Sequence, residues 1–145
     1  MTNPLFYAKI LLFGEYGIIE DSQGLTLPYS FYKGTLKFSD NQSDFEKKSN
    51  ESLQKYSDYL ANLELSKDFK IDVEAFKKDI EKGLFFDSNI PQGYGVGSSG
   101  ALVAAIFEKY SFKKYNPSTI SKTQLKDLKK VFGELESFFH GKSSG

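Results

Sequence analysis

The stretch PQGYGVGSSG, Pro91 to Gly100, runs straight into ALVAAIF, Ala101 to Phe107, and no other segment limits the possible folds as much. A helix that is apolar on nearly every side must be covered on most of its faces, so the chain needs other elements packed around this one. The loop ahead of it is spaced for chemistry. Gly93, Gly95 and Gly97 let the backbone turn and approach a ligand without Cβ obstruction, and successive amides in such a turn can converge on an anion. A helix beginning near Ser99 adds its unpaired N–H groups and positive dipole end at the same place. A hydroxyl there is placed to help hold Mg²⁺. No lysine precedes the serines, so this is not a Walker loop, and the glycine spacing is not that of a dinucleotide fingerprint. The plain alternative is a flexible turn before a buried helix; loop, hydroxyl pair and apolar helix together favour a phosphate cradle.

The remaining pattern mixes strands and helices. Phe6 to Phe13 reads as a buried strand, with Lys9, Leu11 and Phe13 on one face and Glu15 continuing it. After a turn at Asp21 to Gly24, Leu25 to Phe38 has high β-propensity, with Pro28 and Gly34 marking edges or bends. Ser39 to Asn50 is polar and turn-like. Leu53, Tyr56, Leu60 and Leu63 then predict an amphipathic helix over residues 51–65, and Phe76 and Ile80 another over 73–82, stopped by Gly83. Leu84 to Ile90 is a short apolar strand. Asn116-Pro117 breaks the chain, Ser121 to Gln124 has the form of a capping box, and Leu125, Leu128, Phe132, Leu135 and Phe139 form a helical stripe. This order implies one α+β domain over residues 1–145, not a doubly wound sheet.

Composition removes several classes of function. Nineteen basic and nineteen acidic side chains balance in 145 residues, which gives no electrostatic case for a nucleic-acid or membrane partner. There is no cysteine, which excludes disulfides, thiol nucleophiles and thiolate metal sites. A single histidine, His140, rules out a cluster of imidazole ligands. No leader or long apolar run is visible, and the expectation is a soluble cytoplasmic protein.

Three segments carry a family resemblance. PQGYGVGSSGALVAA resembles the second conserved motif of the GHMP kinases, Pro-x-x-x-Gly-Leu-Gly-Ser-Ser-Ala, with Val96 for the leucine and Gly100 for the alanine. KILLFGEYGII, Lys9 to Ile19, resembles the first motif of the mevalonate kinases, Gly-Lys-x-Ile-Leu-Phe-Gly-Glu-His, with Ala8 for the leading glycine and Tyr16 for the histidine. ELESFFHGKSSG, Glu134 to Gly145, is similar to their segment Glu-x-x-x-His-Gly-x-Pro-Ser-Gly-x-Asp, with Ser143 for the proline. All three stand in family order.

The resemblance implies the N-terminal lobe of a GHMP kinase, an α+β fold related to the second domain of ribosomal protein S5, with the second lobe absent. It implies ATP and Mg²⁺ as cofactors and a small-molecule substrate, the primary hydroxyl of mevalonate being the acceptor. Pro91, Gly93, Gly95, Val96, Gly97, Ser98, Ser99 and Gly100 would bind ATP. Ser99 and Glu136 would be the protein ligands of the metal, an oxygen set that suits a hard cation keeping some of its waters. At about 100° per residue, Glu136 falls beside the apolar stripe of its helix, near Phe132. Lys9 would contact the reacting hydroxyl, where a positive charge stabilises developing negative charge. Glu15, Tyr16 and His140 would face substrate, Glu15 alternatively anchoring Lys9. A homodimer is an allowed assembly of the full-length enzyme.

The family's proton-accepting aspartate follows Ser-Gly and so falls beyond Gly145. The expectation is therefore a chain that does not turn over by itself and that exposes apolar surface a second lobe would cover. The alternatives are a GHMP kinase for phosphomevalonate, a sugar or homoserine, or a nucleotide-binding module without catalysis.

Overall fold

The computed structural model describes residues 3–13, 25–91, 98–116 and 118–140, with 8–13, 25–31 and 140 described by backbone alone. Among them, β1 (Phe6–Phe13), β2 (Leu25–Phe38) and β3 (Leu84–Ser88) form an antiparallel sheet in the order β1-β2-β3. The helices are α1 (Asp44–Ala61), α2 (Val73–Glu81), α3 (Ser98–Tyr110) and α4 (Lys122–His140), with one 3₁₀ turn at Lys67–Phe69. The mixed class read from the sequence is the class observed.

Both strand bounds of the β1–β2 pair agree with the sequence reading, and the proline has a physical place in it. Pro28 lies opposite Lys9, whereas β3 pairs with β2 only from Gly34 to Phe38. Over its first half β2 therefore has a strand neighbour on one side among the described residues, which is where a residue without an N–H can sit. Register shifts between Tyr7 and Ala8 leave residues 30–32 of β2 outside the ladder, a bulge that bends the strand.

One expectation is corrected. The segment read as turn-like up to Asn50 is helical from Asp44, and the helix ends at Ala61, short of Leu65. Ser43 caps it: its hydroxyl accepts from the Glu46 amide at 3.3 Å while the Glu46 carboxylate accepts from the Ser43 amide at 3.0 Å. The apolar period is hidden because two inward positions are polar. The Ser49 hydroxyl accepts from the Phe86 amide at 2.9 Å, and the Asn50 amide donates to the Ile80 and Leu84 carbonyls at 2.9 and 2.6 Å. Those bonds tie α1 to β3 and to the end of α2.

Helix α3 is enclosed, as its sequence requires. Ala101 and Ala105 pack with Phe86 and Ile90 on the sheet side. Val103, Ile106, Phe107 and Tyr110 join Leu53, Tyr56, Phe76 and Leu135 in the larger cluster between helices. Alanines on one side let the helix lie close to the strands; large residues on the other fill the space between helices. The capping box expected ahead of α4 is formed, with Ser121 and Gln124 exchanging bonds of 3.1 Å in each direction.

Two buried tyrosines make the fold sensitive to alkali. Tyr56 donates to the Leu135 carbonyl at 2.9 Å, and Tyr110 donates to the Asp79 carboxylate at 2.9 Å. Burial pushes both phenols well above their ordinary range, and the Asp79 hydrogen bond and charge add to the rise at Tyr110. The folded chain then keeps protons that the unfolded chain releases near pH 10, so stability is intact below about pH 10 and falls above it. The fall is at most about 1.4 kcal/mol per pH unit for each such tyrosine. Urea unfolding at pH 8, 10 and 11 measures it; an unchanged midpoint at pH 11 would contradict it.

Candidate functional site

The site is built at the amino end of α3. Ile90, just after β3, packs in the same buried cluster as Ala101 and Ala105. Ile90, where the chain leaves the sheet, and the start of α3 are thus held over one patch of core. Pro91, Ser98, Ser99 and Gly100 are half-buried, and the first amides of α3 have no partner within the helix.

The decisive contact crosses from α4. A Cβ built on Gly100 would lie 2.9 Å from Glu136 Oε1. The Glu136 carboxylate therefore reaches the first turn of α3, beside Ser99. The positive end of the helix favours a negative group there. Glu136 is half-buried, in keeping with a position at the margin of the apolar stripe. Both Ser99 and Glu136 make further interactions within the chain.

Packing on two sides fixes α4 and hence Glu136. Tyr56 and Tyr59 of α1 donate to the Leu135 and Glu134 carbonyls at 2.9 and 2.7 Å. Phe132 meets Phe107 of α3 edge-on at 5.1 Å between ring centres. The charge of Glu136 contributes, after burial and Tyr59, to the raised pKa of Tyr56. Sequence reasoning assigned Tyr56 to an apolar stripe and gave Tyr59 no part. Their hydroxyl bonds to a helix some 75 to 79 residues away leave no local signal.

Other expected site residues are placed less fully. Lys9 lies in β1, opposite Pro28, and α3 packs against that strand. The Lys9 side chain lies outside the described residues, as do Glu15, Tyr16, Gly93, Gly95, Val96 and Gly97. His140 is the last residue of α4, with its side chain likewise outside. A cavity of about 700 Å³ lies elsewhere: it is lined by Leu63, Leu65, Lys70, Val73 and Phe112 among others, and no residue of α3 or α4 takes part in it.

Ser99 in the first turn of α3, and Glu136, whose carboxylate reaches that turn, would offer a metal oxygen donors alone. Among the described residues there is no group of three or more His, Cys, Asp or Glu that could cage a metal. Oxygen donors of this kind suit a hard cation that retains waters, as Mg²⁺ does.

The profile described as GHMP kinases N terminal domain matches residues 55–145, more than half of the chain. The chain belongs to the GHMP kinases. The match includes Ser98, Ser99, Gly100, Glu136 and His140, while Lys9, Glu15 and Tyr16 precede it. No curated protein and no solved structure matched the chain. Family membership makes this the domain of an ATP-using small-molecule phosphotransferase. No helix among the described residues is long and apolar enough to cross a membrane.

Proposed function

We propose that this domain serves an ATP- and Mg²⁺-dependent kinase that phosphorylates the primary hydroxyl of mevalonate. The observation that carries the nucleotide half of this reading is the Glu136 carboxylate lying against Gly100, one residue from Ser99, in the first turn of α3. The motif residues Leu12 to Glu15, His140-Gly141 and Ser144-Gly145 favour mevalonate over other family substrates.

Phosphoryl transfer needs in-line positioning and neutralised charge more than covalent help from the protein. In this reading the α3 amides and the Pro91 to Gly100 segment hold the polyphosphate. Ser99 and Glu136 hold the metal, which when bound supplies charge neutralisation on the phosphate oxygens. Lys9 would contact the acceptor hydroxyl and stabilise the negative charge that develops on it. Glu15, Tyr16 and His140 orient the substrate.

Titrating ATP with and without Mg²⁺ tests the site. Wild type is expected to bind ATP more tightly with the ion. Ser99→Ala and Glu136→Gln are each expected to lose that gain, about tenfold or more in affinity, with melting temperature nearly unchanged. A gain that survives both substitutions would refute the ligand assignment. A substrate panel on the full-length protein tests the acceptor; phosphorylation of phosphomevalonate, a sugar or homoserine in place of mevalonate would move the assignment within the family.

A further inference from the structure

The balanced charge total conceals an uneven distribution. Residues 109–130 contain seven lysines and one carboxylate, a formal net charge of +6, so the other residues together carry −6. Three of the seven have partners within the chain. Lys109 lies over the Phe38 and Tyr110 rings, Lys113 pairs with Asp68, and Lys114 donates to the Glu108 carbonyl. The other four, Lys122, Lys126, Lys129 and Lys130, stand exposed on the first half of α4. None of them joins the ion pairs formed among the described residues. At about 100° per residue they fall within an arc of about 100°, on the side away from the buried Val131 and Leu135. Asp127, the single acid of residues 122–130, falls outside that arc. Leu125 borders it and is 55% exposed.

This placement runs against helix electrostatics. The amino end of a helix is its positive end, which favours carboxylates and disfavours cations. Helix α1 follows that rule with Asp44 and Glu46 in its first turn, and α2 with Glu74. Helix α4 has no acid in its first turn and begins with Lys122. A face that served only to meet water would mix both signs. One that gathers a single sign where the helix is weakened by it points to an anionic partner outside the chain.

We infer that the first half of α4 is a docking face for an anionic lipid surface, with Lys122, Lys126, Lys129 and Lys130 against the headgroups and Leu125 set into the interface. The chemistry favours lipid over a protein or a nucleic acid. The face is convex, so a plane of charge reaches all four lysines together, whereas a peptide finds no groove on it. All nineteen basic residues of the chain are lysine. Arginine is the side chain that forks onto a carboxylate or phosphate of fixed position; lysine suits a diffuse layer of charge. Each lysine held near such a layer raises partitioning about fivefold, and the leucine adds apolar burial. The negative remainder of the chain is repelled, which turns α4 towards the surface. The inference is independent of the ATP site.

The experiment is sedimentation of the full chain with vesicles of phosphatidylcholine alone and of phosphatidylcholine mixed with phosphatidylglycerol, at low and at physiological ionic strength. Wild type is expected to bind the anionic vesicles only, and less tightly as salt rises. Combining Lys122→Gln, Lys126→Gln, Lys129→Gln and Lys130→Gln is expected to lower partitioning by about a hundredfold or more, with a melting temperature unchanged or raised because the helix start is relieved. Changing the exposed Lys47, Lys48, Lys55 and Lys78 to glutamine removes the same charge elsewhere and is expected to leave most of the binding. Leu125→Ser is expected to weaken it several-fold at both salt concentrations. Equal binding to the two kinds of vesicle, no binding to either, or an equal loss in the two quadruple variants overturns the inference. Tighter binding to a polyglutamate peptide or an RNA homopolymer than to the anionic vesicles also overturns it, and assigns the face to a macromolecule.

Discussion

Tyr56→Ala is expected to cost about 3–5 kcal/mol of stability and to lower the melting temperature by about 10–20 °C. The side chain is 1% exposed. Its ring lies 5.0 Å from that of Phe139 and 5.4 Å from that of Phe138, centre to centre. Truncation leaves a cavity between α1 and α4 and removes the hydroxyl that donates to Leu135. Against a total of about 5–15 kcal/mol for an ordinary domain, that is a large share. Tyr56→Phe separates ring from hydroxyl. It keeps the packing and removes one hydrogen bond, for a loss of about 0.5–1.5 kcal/mol, and it removes one of the groups behind the alkaline sensitivity. Because Glu136 follows Leu135 directly, Tyr56→Ala is also expected to weaken the Mg²⁺-dependent ATP affinity in whatever fraction stays folded. A melting curve within a few degrees of wild type would show that α1 does not hold α4 in this way.

The elements that could be read from the sequence are those whose signal is local. Phe6–Phe13 and, apart from Pro28 and Gly34, Leu25–Phe38 are rich in strand-favouring residues, and Ser121 with Gln124 announces the start of α4 three residues apart. The enclosure of α3 follows from a run that has no polar face to offer water. By contrast, the first two turns of α1 were obscured by Ser49 and Asn50, polar residues that face inward and bond to Phe86, Ile80 and Leu84. A hydrophobic period cannot register a position where burial is offset by hydrogen bonds. Even so, Ser43 and Glu46 carry the same capping signal that marked α4.

The candidate site divides along similar lines. The loop and its serines are legible from glycine spacing ahead of an apolar helix, whereas Glu136 is found only through motif resemblance, since a carboxylate at the edge of an apolar stripe is an ordinary surface feature by pattern alone. That its oxygen reaches Gly100 is a fact about two helices packed together, 36 residues apart in number between Gly100 and Glu136. No spacing rule within one helix contains it. The aromatic anchors Tyr56 and Tyr59 depend on the same tertiary packing, so they too became visible only with the fold.

Gly83→Val is expected to be the second severe substitution, costing about 3–5 kcal/mol when backbone strain and overpacking are combined. Gly83 joins the end of α2 to β3 with φ 93, a conformation that β-branched residues essentially do not adopt. Its amide donates to the Ile80 carbonyl at 3.0 Å, and its own carbonyl accepts from the Ser39 amide at 3.1 Å and the Gln42 side chain at 2.9 Å. An added Cβ would stand 2.3 Å from the Ser39 carbonyl oxygen, a backbone atom held by the same turn. Strain and clash can be told apart. Gly83→Asn tolerates the positive φ better than Gly83→Ala, yet both carry the Cβ. If Asn and Ala destabilise equally in urea unfolding, contact with Ser39 dominates; if Asn is milder, backbone strain does. The turn lies outside the α3–α4 pair, so the Mg²⁺ gain in ATP affinity is expected to persist in the folded fraction of each variant. A Gly83→Val chain that melts within about 2 °C of wild type would mean that the turn can be rebuilt without a left-handed residue, and the tie between β2 and β3 would have to be sought elsewhere.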